Sequence, residues 1–283
     1  MSATPRAVTD VRAIKVRPGR NLELPDRVVT EEPLEIRAAG PGEESRPVAV
    51  TMRTPGHDFE LAVGFLVGEG LVTPAAIAAV GYCDAAEADN RLNTVTVSLR
   101  SPWRPPAERT FVAGSSCGVC GKTGIDQLEV ACPVLPRGGP RVPASVIGAL
   151  PERLRRAQRV FERTGGLHAA GVFDHLGELH LAREDIGRHN AVDKVVGRRA
   201  LDLAGGNRPG PPGDRAVLLV SGRVSFEIVQ KTAMAGLTVL AAVSAPSSLA
   251  VAVAERLGVT VAGFVRDGSY NIYSHPERID LGS

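Results

Sequence analysis

Cysteine is scarce in this chain of 283 residues: there are four, and none follows Cys132. A deaminase-type zinc centre needs a Pro-Cys-x-x-Cys ligand segment beside a His/Cys-x-Glu segment, so the C-terminal half cannot supply one. Aromatic residues make up only 4% of the chain and the formal net charge is +2. That combination lacks both the stacking platforms and the cationic groove of a nucleic-acid binder. No apolar run approaches the roughly 18–20 residues of a membrane span. The first residues, Met1 to Arg6, are followed by no apolar stretch of the kind a secretion signal carries. Few cysteines and no export signal point to the reducing cytoplasm. Lysine is also rare, with Lys15, Lys122, Lys194 and Lys231 standing among 33 cationic residues. Lys122 and Lys194 fall in the motif segments below and Lys231 lies further along the helix that follows one of them, where a compact ammonium differs in use from a planar guanidinium.

The periodicity predicts an α/β protein. Residues 1–25 read as a loosely ordered segment and 26–112 as an α+β unit. Within that unit, strands are expected at Leu34–Arg37 and Val48–Arg53, a helix capped by Asp58 and ended at Gly68/Gly70, and a strand over 91–100. The stretch 113–143, rich in glycine and proline, reads as a cysteine loop followed by a linker. From 144 to 283 helices and strands alternate. The helices are expected at 144–163, 190–203, 225–235 and 247–257. Strands are expected at 167–173, 178–183, 216–220, 238–243, 260–265 and 271–273. Apolar, β-branched strands between helices imply a sheet covered on both faces.

Several segments can carry chemistry. In Ser115-Ser116-Cys117-Gly118-Val119-Cys120-Gly121-Lys122, two thiols two residues apart can share a metal, a disulfide or a mobile sulfur. A zinc site would have to recruit Cys83 and Cys132 at irregular spacing, and a thioredoxin-like dithiol would open a helix directly after a strand. Lys122 can lower the pKa of a neighbouring thiol. Arg183 to Lys194 packs seven ionisable side chains into twelve residues at a strand-to-helix junction; there Asn190 and the following amides can hold an anion. The alternative is a solvated turn with an Asn190 cap. Ser221-Gly222-Arg223-Val224-Ser225 and Ser244 to Ser248 are successive serine-rich βα junctions suited to a phosphorylated ligand. His168 follows two glycines, which points to a close approach. The final stretch from Gly263 to Arg278 mixes aromatic, amide and cationic groups that fit either a purine-like base or a closing hairpin.

These segments together resemble the formate dehydrogenase accessory sulfurtransferase family (FdhD). The likeness rests on Glu32–Arg37, Met52–Asp58 through Gly70, Ser116–Gly121, Thr164–Ala170, Arg183–Lys194, Ser221–Ser225 and Asn271–Arg278. It implies a cytidine-deaminase-like three-layer α/β/α domain after the smaller N-terminal unit, and a homodimer. It also implies that a cysteine desulfurase loads a persulfide on Cys117, with Cys120 as an auxiliary thiol. The sulfur then passes to a molybdenum bis(molybdopterin guanine dinucleotide) cofactor destined for formate dehydrogenase, with no permanently bound metal. By correspondence, Phe264, Val265, Arg266, Asp267, Gly268 and Ser269 bind that cofactor. Ser221, Gly222, Arg223, His189, Asn190 and Lys194 join them as candidates from the junctions. The alternative is a cofactor-binding chaperone whose cysteines bind zinc or aid docking.

Overall fold

The computed structural model describes residues 6–83, 91–104, 111–113 and 132–282. The chain opens with strands Val8–Arg17 (β1) and Arg20–Val29 (β2), paired antiparallel over ten positions around Gly19, whose φ of 78° suits glycine alone. The expected loose segment at 1–25 is therefore corrected from Val8 onward. Polar side chains alternate there on a ribbon wet on both faces, and cross-strand pairs such as Arg12–Glu23 and Arg27–Asp10 support it.

Strands Glu32–Ala39 (β3) and Arg46–Arg53 (β4) follow, then helix Asp58–Gly68 (α1) and strands Ile77–Tyr82 (β5), Thr94–Leu99 (β6) and Phe111–Ala113 (β7). They form a mixed sheet in the order β5-β6-β3-β4-β7. Sequence periodicity missed β5, an alanine- and glycine-containing segment of low strand propensity. Asp58 is not the cap of α1. The left-handed His57 holds that position, while Asp58 is fully buried against Arg53.

The C-terminal part begins with Val142–Pro143 (β8), helices Ala144–Ala157 (α2) and Arg159–Thr164 (α3), and the hairpin His168–Asp174 (β9) and Leu179–Asp185 (β10). Helix Arg188–Ala204 (α4) leads to strand Ala216–Val220 (β11), helix Phe226–Met234 (α5) and strand Val239–Ala242 (β12). Helix Ser248–Leu257 (α6), strands Thr260–Arg266 (β13) and Ser269–Ser274 (β14), and the short Ile279–Asp280 (β15) complete it. The single helix expected over 144–163 is two. Gln158 leaves helical geometry, and the Glu184 carboxylate on β10 accepts the N–H groups of Val160 at 3.0 Å and Phe161 at 2.8 Å, starting a second helix.

The six-stranded sheet runs β10-β9-β11-β12-β13-β14, with β11, β12 and β13 parallel. On one face, Ile147, Leu150 and Leu154 of α2 pack on Phe173, Val217 and Leu219. On the other, α4, α5 and α6 bury Val192, Val195, Ile228, Val229 and Ala254 against Val172, Leu218 and Leu240. This is the expected three-layer α/β/α arrangement. Helix α1 enters the same helical layer, and Leu34, Ile36, Val95 and Val97 of the N-terminal sheet close over it. One apolar core thus joins both parts of the chain.

The crossing of α1 and α4 explains why that layer can hold four helices. A Cβ on Gly64 would lie 1.8 Å from the carbonyl of Asp193, and one on Gly197 would lie 1.7 Å from that of Glu60. Reciprocal glycines let the two backbones touch. No helix among the described residues is long and apolar enough to cross a membrane.

Candidate functional site

Parallel strands β11, β12 and β13 all end at one edge of the sheet, where α/β proteins collect ligands. A cavity of about 960 Å³ opens there. Its floor comes from the strand ends: Ser221 after β11, Val243 after β12, and Val265 to Gly268 at the turn out of β13. Its walls are α2 and α3 with Pro151, Arg155 and Phe161 on one side, and His168 with Ile186 on the other. Arg155 stacks its guanidinium 4.5 Å from the centre of the Phe161 ring, making a flat cationic wall. That wall lies within the segment the sequence read only as an amphipathic helix. Gly148 was the available signal, since a glycine inside a helix face marks close approach. A Cβ there would meet the carbonyl oxygen of Gly268 at 2.8 Å.

The turn after β13 is held in unusual backbone geometry. Phe264 and Asp267 have φ of 54° and 50°, a region bulky side chains rarely occupy, and the β13–β14 register shifts between Gly263 and Arg266. Such conformations cost on the order of 1–3 kcal/mol and gather at ligand sites. They turn Val265, Arg266, Asp267 and Gly268 onto the cavity. Phe264 and Ser269 are exposed and lie outside its lining.

The two serine-rich junctions form one shelf. Val224 and Pro246 make a parallel bridge, and the N–H of Ser247 donates to the carbonyl of Val224 at 2.9 Å. Ser247 caps α6, its Oγ accepting from the N–H of Ala250 at 3.2 Å. Ser221 Oγ accepts from the N–H of Ala169 at 2.9 Å, which leaves its hydroxyl proton available to the cavity. Gly222 is buried and Arg223 exposed.

The charged segment Arg183 to Lys194 divides into structural and cavity-facing residues. Asn190 is not a cap. Gly187 holds that position, and Asn190 Nδ2 donates to the carbonyl of Met52 at 2.8 Å and to Asp185 Oδ1 at 3.0 Å. Lys194 is 1% exposed, 2.7 Å from Asp185 Oδ2 and 2.9 Å from the carbonyl of Thr54. Both leave the candidate ligand-binding set, because their polar groups tie α4 to β4 and to the residue after it. Arg183 forms a two-pronged pair with Glu60. Burial raises the pKa of that carboxyl, but Arg183 and His57 outweigh it and hold the value at about 2.

His189 lies 2.9 Å from Glu227 Oε2 and 3.1 Å from Ser225 Oγ. One turn further along the same two helices, Lys231 sits 2.7 Å from Asp193 and 3.1 Å from Glu69. These stacked pairs clamp α4 to α5. Burial pulls the Lys231 pKa down, but Asp193 and Glu69 reverse that and keep the ammonium charged.

Cys117, Cys120 and Lys122 lie outside the described residues. The chain on either side of them is pinned. Ala113 pairs with Thr51 in the N-terminal sheet, and the N–H of Leu135 donates to the carbonyl of Leu257 at 2.9 Å. Buried Arg278 donates to the carbonyl of Pro136 at 2.7 Å, and His275 reaches Glu277 at 3.0 Å. The motif Ser274 to Arg278 therefore anchors the chain that leaves the cysteine segment. Thr54 joins that region to the cavity, because the N–H of Ile186 donates to its Oγ1 at 3.2 Å.

Residues 29–280 match the FdhD/NarQ family. A protein of Streptomyces coelicolor named sulfur carrier protein FdhD is 48% identical over 280 residues, covering 95% of each chain. One of Mycobacterium tuberculosis with the same name is 48% identical over 265 residues, covering 90% of this chain and 92% of its own. A third so named, from Sulfurisphaera tokodaii, is 41% identical over 273 residues, covering 96% and 99%. The fold also matches the crystal structure of a protein from Desulfotalea psychrophila described as a formate dehydrogenase accessory protein. That match has a TM-score of 0.75 at 24% identity and covers 97% of this chain and all of the other. With its full described core inside the matched span, the chain belongs to the FdhD/NarQ family.

Proposed function

We propose that this protein is a cytoplasmic sulfur carrier for formate dehydrogenase. It takes sulfur from a cysteine desulfurase on Cys117 and delivers it to a molybdenum bis(molybdopterin guanine dinucleotide) substrate before that cofactor enters the enzyme. The observation that carries the reading is the family match across 29–280, which includes Cys117-Gly118-Val119-Cys120. The cavity supports it. An opening of about 960 Å³ at the carboxyl ends of parallel strands suits one nucleotide arm of a large anionic cofactor. The Arg155–Phe161 wall offers a face for a planar base, and the 265–268 turn offers backbone groups to its polar edge.

The chemistry follows thiol–disulfide exchange. In loading, the Cys117 thiolate attacks the outer sulfur of the desulfurase persulfide. The new bond forms on Cys117, the old S–S bond breaks, and the desulfurase thiolate leaves. In delivery, the Cys120 thiolate attacks the Cys117 sulfur. Hydrosulfide leaves toward the bound cofactor, the two cysteines end as a disulfide, and a cellular dithiol restores them. The anchor at Ala113 fits this traffic. Cys117 follows four positions later in the chain, a reach of at most about 14 Å, and the strand partner of Ala113, Thr51, contacts Asn190 at the base of α4.

The test is genetic and biochemical together. In cells deprived of their own sulfur carrier, this protein restores formate dehydrogenase activity, and Cys117→Ala restores none although it accumulates to the same level. Full restoration by Cys117→Ala would contradict the proposal.

A further inference from the structure

On the side of the cavity opposite the Arg155–Phe161 wall, one guanidinium has no carboxylate available to it. His168, the first residue of β9, lines the cavity there. Arg188 lies across Gly222 from it. A Cβ built on Gly222 would sit 3.4 Å from Arg188 Cδ and 3.6 Å from His168 Nδ1. His189 follows on α4. Two carboxylates stand near, and both are committed elsewhere. Asp185 is fully buried and holds Lys194, the N–H groups of Thr54 and Gly187, and the Asn190 amide. Glu227 holds His189 at 2.9 Å.

Arg188 makes no ion pair with any described residue, and its buried Nε has no hydrogen-bond partner. A guanidinium N–H desolvated without an acceptor is costly. Its neighbours register the same imbalance. Burial, then the charges of Arg188 and His189, pull the His168 pKa below its ordinary value, and Asp185 only partly opposes them. Beside them, Ser221 still has a hydroxyl proton to donate.

We infer that Arg188, His168 and Ser221 form a phosphate-class anion subsite around Gly222, beside the part of the cavity that His168 and Ser221 line. It rests on the reading of the cavity as a nucleotide-cofactor site and assigns the cofactor's phosphate end to residues outside the 264–269 turn. Arg188 supplies the charge-assisted contact. Gly222 supplies the room, because its missing side chain leaves the space between the two bases open. The site binds by complementarity alone and involves no bond making.

The probe is inorganic pyrophosphate, titrated calorimetrically into the full-length protein, with guanosine diphosphate titrated in parallel. Two variants separate binding from folding. Arg188→Gln removes the charge. Gly222→Ala places a methyl at ordinary contact distance in the gap and needs no left-handed backbone, so its thermal unfolding matches the parent. Pyrophosphate affinity is expected to fall tenfold or more in each variant. Unchanged pyrophosphate affinity in both variants would overturn the subsite. Binding of guanosine diphosphate with no binding of pyrophosphate also overturns the subsite, while the nucleotide reading stands. Failure of both ligands to bind the parent protein overturns the subsite and the nucleotide reading together.

Discussion

Lys194 places a positive charge where solvent scarcely reaches, and its three acceptors explain how the fold tolerates it. Asp185 neutralises it, and the carbonyls of Thr54 and Glu184 complete its hydrogen bonds. Removing one partner of a buried pair leaves the other charge desolvated, at a cost of about 3–5 kcal/mol. Lys194→Met is therefore expected to lose stability on that scale in urea unfolding, while its folded fraction keeps the parent's affinity for guanosine diphosphate. Loss of nucleotide affinity at unchanged stability would return Lys194 to the ligand-binding set. The sequence showed a dense charged run at 183–194 but not which charges face inward. The deciding partners, Met52 and Thr54, lie more than a hundred residues earlier in the chain. The reverse holds for Arg188. It lies within that run, yet only its unsatisfied Nε distinguishes it from its neighbours.

At the scale of elements, the strands and helices from β9 to α6 follow their apolar periodicity closely, because a sheet covered on both faces demands it. Legibility fails where a tertiary contact decides. The break at Gln158 depends on a carboxylate from β10, and the β1–β2 ribbon depends on cross-strand pairing without a buried face. The α1–α4 crossing was equally hidden, since Gly64 and Gly197 each sit inside a helix where glycine is locally unfavourable. Their use becomes visible only in the contact between the two backbones. Gly197→Ala forces a methyl toward the Glu60 carbonyl at 1.7 Å, so the helices must part. The expected loss is about 1–3 kcal/mol or more, read as a lowered urea midpoint. An unchanged midpoint would show that the helices do not pack this closely. The Lys231–Asp193 and His189–Glu227 pairs set the register of α4 against α5, and through it the placement of Arg188 beside Gly222.

At the scale of the whole molecule, the N-terminal sheet does not stand apart as a separate body. It shares its core with the helical layer, and through Thr54 and Ile186 it meets the cavity wall. The cysteine segment leaves the N-terminal sheet at Ala113 and is caught again at Leu135 by α6. Its two ends are thus fixed to the N-terminal sheet and to α6, and the residue proposed to carry sulfur lies on the chain between them. The resemblance identified that residue from the sequence. The cavity's α2–α3 wall had only Gly148 as a local signal, and the meeting of His168 with an unpaired Arg188 had none, because each is assembled from separate elements. The central claim is that sulfur resides covalently on Cys117. Intact-mass analysis after incubation with a cysteine desulfurase and cysteine tests it most directly. The account predicts one added sulfur atom, removed by a thiol reductant, retained in Cys120→Ala and absent in Cys117→Ala. The same added sulfur in Cys117→Ala would contradict it.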